Sequence, residues 1–164
     1  MDLGAPTAVA RVELAPETDG VVVELRIADT SPRLDDAVLQ AGLARSLVRV
    51  AAAEAVAGTA FAEPRPELVK AARWGAARHG LEDRLLDLRT VQRQPAADVV
   101  RGLLARLRED LESSGDWDEV SWLTEQALGR GTSAAEQRRT AEQTGELSLV
   151  SRQLVEQTVG QPVG

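Results

Sequence analysis

The sequence predicts an α+β fold, in which an N-terminal antiparallel β-hairpin is followed by a mainly α-helical bundle. Two runs rich in β-branched residues, Val9 to Leu14 and Val21 to Ile27, flank a turn signal at Pro16 to Gly20. After residue 30 the apolar residues recur at helical spacing. Strands that are grouped before helices along a chain are typical of the α+β class.

Six helices are predicted from apolar periodicity and from residues that favour helix starts and stops. The first should span Asp35 to Ala57. The second should run from Pro66 to a stop at Gly80, because proline suits a first turn and glycine suits the position after a helix. A short extended hairpin is expected between Leu81 and Gln94. The remaining helices are expected at Ala96 to Glu112, Trp117 to Leu128, Ser133 to Gln143 and Leu147 to Val159.

Length and composition limit the classes of protein that fit. The 164 residues suit a single domain over positions 1–164, and the absence of cysteine and of a signal-peptide pattern favours a cytoplasmic location. A net charge of −7 argues against nucleic-acid binding, and no apolar run approaches the roughly 20 residues of a membrane span. No P-loop or Rossmann glycine pattern occurs, so any ATP chemistry must use another scaffold.

The end of the second predicted strand carries the residues best suited to chemistry. Side chains alternate along a strand, so Glu24 and Arg26 should share one face, and Asp29 follows just before a turn at Pro32. From spacing alone, a solvated ion pair is the ordinary explanation for Glu24 and Arg26. The alternative is a phosphoryl-transfer site, because carboxylates suit Mg²⁺ and arginine presents a planar fork to phosphoryl oxygens.

These residues and four later segments together resemble one known family. Glu24-x-Arg26-x-x-Asp29-x-x-Pro32 resembles the E-x-R-x-x-D-x-x-P strand motif of the type-2 glutamate-cysteine ligases, also called carboxylate-amine ligases. The resemblance then continues in the family's order through Asp36-Ala37-Val38, Trp74 to Leu81 (W-x-A-x-R-x-G-L), Leu88-Arg89-Thr90 before Gln94-Pro95-Ala96, and Gly131 to Arg138 (G-[TS]-x-A-x-x-Q-R).

The resemblance implies a glutamine-synthetase-like catalytic sheet. On such a sheet ATP phosphorylates a substrate carboxylate, and an amine then displaces phosphate to form an amide. Glu24 occupies the position of a Mg²⁺ ligand, Arg26 that of the residue at the transferring phosphoryl group, and Asp29 either binds metal or caps the turn. Arg78 and Arg138 match family segments and are candidates to bind phosphate or the amino-acid substrate, and the alternative is that they are solvated or ion-paired, as arginine on a helix normally is.

Two departures from the family pattern bear on activity. The family places its other metal-binding carboxylates in an N-terminal region, so the resemblance covers a C-terminal portion that needs an N-terminal ligase half, or a homo-oligomer, as partner. Ala72 stands where the family pattern has asparagine two residues before the tryptophan. The alternative is therefore a non-catalytic, stand-alone relative that acts as an oligomeric interaction module.

The remaining conspicuous residues have structural explanations. His79, the only histidine, should end a helix, where a cation complements the helix dipole. Trp74, Trp117 and Trp122 are expected to anchor the core. Ser133 and the glutamate three residues later, Glu136, form a capping-box pattern at a helix start.

Overall fold

The computed structural model describes residues 10–15, 20–25, 30–59 and 64–160. The chain divides into two compact units, Met1–Thr30 and Ser31–Gly164, and each is described by itself. The predicted α+β class, with a hairpin before a helical bundle, is confirmed. The expectation of one domain over residues 1–164 stays a prediction.

The first unit contains an antiparallel hairpin. Strands β1 (Ala10–Ala15) and β2 (Gly20–Leu25) pair with Ala10 opposite Leu25 and Arg11 opposite Glu24. In β2, Val23 and Leu25 are half-buried, whereas Glu24 between them is exposed. This alternation is the one that the sequence predicted for a strand with one apolar face.

The second unit contains six helices and a second hairpin. Every predicted helix lies within two residues of its observed bounds. In chain order the elements are α1 (Leu34–Val56), α2 (Pro66–His79), β3 (Arg84–Asp87), β4 (Gln92–Pro95), α3 (Ala96–Ser114), α4 (Trp117–Arg130), α5 (Ser133–Thr144) and α6 (Leu147–Val159). None of the described helices is long and apolar enough to cross a membrane.

Three helices supply the apolar core. Leu104, Leu107 and Leu111 lie one or two turns apart on α3, and the last two are fully buried. They pack against Leu39 of α1 and against Val120 and Leu123 of α4. Helix α5 packs with α6, and α2 packs against β3, so these elements lie outside that cluster.

The crossing of α1 and α4 depends on a glycine. A Cβ atom at Gly42 would lie 2.7 Å from Cγ2 of Val120, closer than two carbon atoms can approach without movement. Thr124, one turn further along α4, is buried and donates its hydroxyl to the carbonyl oxygen of Val120 at 2.7 Å. The hydroxyl group of Thr124 is therefore satisfied within α4, and α1 approaches Val120 closely because position 42 has no side chain.

The expectation that all three tryptophans anchor the core is wrong for two of them. Trp117 packs against the core, beneath the guanidinium of Arg108 at 4.7 Å. Trp74 is 68% exposed and Trp122 is 57% exposed. Val120 and Leu123 define the buried face of α4, and a residue at position 122 points away from that face because successive helical residues are rotated by about 100°.

The Gly42 contact predicts the effect of adding one methyl group. Gly42→Ala should lower the free energy of unfolding by about 1–3 kcal/mol, because α1 and α4 must separate to admit the Cβ. Gly75→Ala is the matched control, since nothing lies within 4 Å of a Cβ there and alanine favours a helix by up to about 1 kcal/mol. Urea unfolding of both variants measures the difference, and equal stability would contradict the close packing.

Candidate functional site

The predicted strand residues are only partly described. Glu24 lies in β2 with an exposed side chain. Arg26 and Asp29 lie outside the described residues. The shared face of Glu24 and Arg26, and the metal role of Glu24 and Asp29, therefore stay predictions.

The structure brings Arg78 and Arg138 to one surface cleft. The cleft measures about 450 Å³ and is lined by Arg78, His79, Glu82, Asp83 and Arg138. Arg138 of α5 donates to Oε2 of Glu82 at 2.9 Å. Arg78, in the last turn of α2, is exposed and has no ion pair or hydrogen bond to any described residue outside its helix backbone. One guanidinium is thus oriented by a carboxylate, and the other is available to a ligand.

A glycine allows the two walls of the cleft to meet. Gly80, which ends α2, has a φ angle of +58°, a conformation that favours glycine. A Cβ atom at Gly80 would lie 3.0 Å from Cγ2 of Thr132, so a side chain there would press on the start of α5. This contact joins the two family-like segments that contain Arg78 and Arg138.

The start of α5 corrects the predicted capping box. Thr132, not Ser133, is the N-cap, and its Oγ1 accepts a hydrogen bond from the backbone N–H of Ala135 at 3.2 Å. The cap therefore lies one residue earlier than the S-x-x-E pattern indicated. Glu136 is then free of a capping role and instead accepts a hydrogen bond from Nη2 of Arg33, at 3.3 Å.

His79 ends α2, as predicted, and also forms part of the cleft wall. Its Nδ1 lies 3.8 Å from Oδ2 of Asp83, and its ring meets Trp74 edge-on with 6.1 Å between the ring centroids. These contacts tie the imidazole to both neighbours, which agrees with the structural role expected from the sequence.

Two ion pairs that were not predicted from the sequence anchor the start of α1, one to α5 and the other to the end of α4. Arg33, the N-cap of α1, pairs with Glu136, and Arg130 in the last turn of α4 pairs with Asp36 in the first turn of α1. Glu136 also accepts a hydrogen bond from Gln157 of α6 at 3.4 Å. The sequence carried a signal for the pair of Asp36 and Arg130, because an acid in the first turn of a helix and a base in the last turn each complement the helix dipole.

A buried carboxylate shapes the β3–β4 turn. Asp87 is only 6% exposed, and its Oδ1 accepts a hydrogen bond from the backbone N–H of Arg89 at 2.9 Å. That hydrogen bond is the main cause of a lowered pKa at Asp87; burial opposes it, and the guanidinium of Arg89 adds to it. The turn also holds Val91 at a φ of +55°, which is unfavourable for a β-branched residue.

A second cleft, of about 440 Å³, lies between α1 and α3. Both of its arginines are paired, Arg49 with Asp110 at 3.0 Å and Arg106 with Glu54 at 2.6 Å, and its remaining charged group is an acid, Glu109. It thus lacks the available guanidinium of the Arg78 cleft. Among the described residues, no three of His, Asp and Glu come close enough together to hold a metal ion.

Comparison with known proteins relates most of the chain to one family. The model of Glutamate-cysteine ligase family 2 matches residues 12–156. The chain is 39% identical to a candidate glutamate–cysteine ligase 2-3 of Rhodococcus jostii over 152 residues, which cover 93% of this chain and 19% of the relative. No solved structure matches.

Two further relatives show that the matched stretch belongs to proteins of different length. The chain is 42% identical over 146 residues to a candidate glutamate–cysteine ligase 2-2 of Frankia casuarinae, covering 89% of the chain and 17% of the relative. It is 41% identical over 146 residues to a candidate glutamate–cysteine ligase 2-2 of Mycolicibacterium smegmatis. This match again covers 89% of the chain, but it covers 37% of the relative. The chain therefore spans between about a sixth and just over a third of these relatives.

The ion pair between Arg130 and Asp36 predicts a stability difference between two acid deletions. Asp36→Ala should lower the free energy of unfolding by about 1–3 kcal/mol, because it leaves a mostly buried guanidinium without a partner. Glu125→Ala, which removes an exposed partner of Arg101, should change stability little. Chemical denaturation of the two variants provides the comparison, and an equal loss would argue against a special role for the α1–α4 pair.

The lowered pKa of Asp87 predicts a pH-dependent contribution to stability. A carboxylate whose folded-state pKa lies below its ordinary value of 3.8 stabilises the fold above that value, and the contribution is lost as the pH falls through the folded-state pKa. The melting temperature of wild type should exceed that of Asp87→Asn at neutral pH, and the gap should close in acid. A gap that is constant with pH would contradict the charged role.

Proposed function

Because the chain belongs to glutamate-cysteine ligase family 2, we propose that it forms the C-terminal part of an ATP-dependent carboxylate-amine ligase and is incomplete without an N-terminal half. The chain covers only 17–37% of the three relatives described above, so most of such an enzyme lies in their remaining length. The proposal concerns the role of this chain within that larger site.

The observation that carries the proposal is the shared cleft of Arg78 and Arg138. Both residues were singled out by the family-like segments Trp74 to Leu81 and Gly131 to Arg138, which are separated by about fifty residues of sequence. The fold joins those segments at Gly80 and Thr132 and places both guanidinium groups on one cleft. Two arginines at one concave site suit a phosphate or carboxylate ligand.

The arrangement supports electrostatic catalysis. In the proposed reaction, ATP transfers its terminal phosphoryl group to a carboxylate, releasing ADP, and an amine then forms the amide bond as phosphate leaves. Arg138, held by Glu82, would orient oxygen atoms of the substrate or nucleotide. Arg78, whose charge forms no ion pair with a described residue, would neutralise negative charge on the ligand. Phosphoryl transfer needs such positioning and charge more than it needs a covalent nucleophile.

The metal-binding part of the proposal concerns the hairpin. Glu24 and Asp29 are the proposed Mg²⁺ ligands, and Arg26 is the proposed contact to the transferring phosphoryl group. The described residues contain no cluster that would hold a metal ion by itself. We therefore assign the remaining ligands to the N-terminal half and derive no step of the reaction through the metal.

A second candidate function is that of a non-catalytic interaction module. Two observations favour it: Ala72 replaces the asparagine of the family pattern, and Trp74 and Trp122 are exposed. Tryptophan that is exposed in one chain is frequently buried at an interface with another.

The test of the ligase proposal is a chimera. Residues 12–156 should replace the matched segment of the Mycolicibacterium smegmatis relative, and ATP-dependent amide formation should be measured with glutamate and cysteine, following ADP and phosphate release. We expect activity in the chimera and none in the isolated chain. Arg78→Lys and Arg138→Lys in the chimera should each lower turnover on the order of 10- to 100-fold, because lysine lacks the planar fork.

The control is Arg139→Lys, which alters a neighbouring ion pair with Glu82 without removing a proposed ligand contact. It should retain most of the turnover, and all three variants should keep the melting temperature of the chimera. An inactive chimera beside an active parent protein would contradict the ligase proposal and favour the interaction module. Wild-type turnover in both Arg78→Lys and Arg138→Lys would remove those residues from the site.

A further inference from the structure

Unpaired positive charge in the described chain is concentrated on helix α2. Beyond residue 30, most arginines form ion pairs with Asp or Glu. The described basic side chains that form none are Arg65, Lys70, Arg73, Arg78, Arg84 and Arg152, and the first four belong to α2 or to its N-cap. This concentration stands out in a chain with a net charge of −7.

These cations surround an exposed tryptophan. Lys70, Arg73 and Trp74 are all exposed and lie within about one turn of one another on α2; we call them the basic face. Helix α2 has no buried residue and packs against β3. The basic face is therefore not part of the interior of the described unit.

Helix α4 carries the complementary arrangement. Asp118, Glu119 and Trp122 are exposed and lie within about one turn of one another; we call them the acidic face. Neither carboxylate forms an ion pair with a described residue, whereas the next acid along this side, Glu125, is neutralised by Arg101 at 2.6 Å. The buried side of α4, with Val120 and Leu123, faces the opposite direction.

We infer that the basic face of one copy of the chain docks against the acidic face of a second copy. Each face combines one exposed tryptophan with two unpaired charges, and the charges are of opposite sign. Contact would remove both indole rings from water, and the charge pairs would fix which faces meet. The inference goes beyond amide ligation and does not depend on it, because none of these six residues belongs to the proposed ligand cleft.

The contact would be head-to-tail. Because two different faces meet, a docked pair still has one basic and one acidic face open, so the assembly continues until a ring closes or a filament grows. The two faces are each about one helical turn long, which corresponds to a small interface and to weak association in the range of about 10 µM to 1 mM.

Salt distinguishes this contact from unspecific association. Copies with a charge of −7 repel one another, so added salt strengthens association that is driven by apolar surface alone. Docking between the basic and acidic faces has the opposite salt dependence: added salt weakens it, because salt screens the attraction between the faces.

The experiment measures molecular mass by sedimentation velocity on the purified chain, over protein concentrations up to about 1 mM and at about 50 mM and about 500 mM salt. We expect mass to rise with concentration at low salt and to fall back at high salt. Arg73→Glu and Glu119→Lys should each shift the association midpoint at least about tenfold to higher concentration. Mixing these two variants should restore association, because each then offers a face that matches the other.

The matched controls carry the same charge changes elsewhere. Arg152→Glu on α6 and Glu142→Lys on α5 replace exposed residues that form no ion pair in the described chain. They should leave the association midpoint unchanged, and circular dichroism should confirm that all four variants remain folded. These controls separate the effect of a particular face from that of net charge.

Three results would overturn the inference. The first is a chain that stays monomeric at all concentrations, and the second is association that strengthens with salt. The third is wild-type association in both Arg73→Glu and Glu119→Lys.

One further result would assign the basic face to a different occupant. The wild-type chain would stay monomeric but bind the N-terminal region of the Mycolicibacterium smegmatis relative, and Arg73→Glu would abolish that binding. The basic face would then have a ligase half as its occupant instead of a second copy.

Discussion

The contact between Gly80 and Thr132 determines the geometry of the proposed site. A Cβ atom at position 80 would lie 3.0 Å from the threonine methyl group, so the end of α2 and the start of α5 touch with no space for a larger residue. Thr132 is at the same time the N-cap of α5, so its position also sets where that helix begins. Displacing it would move Arg138 relative to Arg78 and open the cleft. One ion pair, between Arg33 and Glu136, ties α5 to the start of α1, and another, between Arg130 and Asp36, ties the end of α4 to α1.

The described fold combines an apolar centre with a polar periphery. Leucine and valine from α1, α3 and α4 form the buried cluster, whereas α2, α5 and the start of α1 are joined largely by hydrogen bonds and ion pairs. Apolar burial is insensitive to salt at moderate concentration, and exposed ion pairs are weakened by it. The cleft therefore lies in the part of the chain that is held by ion pairs, outside the apolar cluster of α1, α3 and α4.

Element bounds could be predicted from the sequence because their signals are local. Pro66 starts α2, Gly80 ends it, and apolar spacing sets the length of α3, all within two residues of the prediction. The meeting of Arg78 and Arg138 could not be predicted this way, because it depends on how α2 and α5 pack. The family resemblance marked both arginines but not their proximity. Trp122 was misassigned because its size suggested burial, yet its position on α4 points away from the buried face that Val120 and Leu123 define.

Packing does not account for the cations of α2, because this helix has no buried residue. Arg78, in the last turn, complements the dipole of the helix, and Glu67 does so in the first turn. Lys70 and Arg73 lie in between, where the dipole gives no advantage, and neither has a carboxylate partner among the described residues. Their charge therefore remains available to a group outside the described contacts. A ligand in the cleft explains Arg78, whereas an exposed Trp74 with two basic neighbours is suited to a surface of opposite charge, such as the acidic face that we propose as its partner.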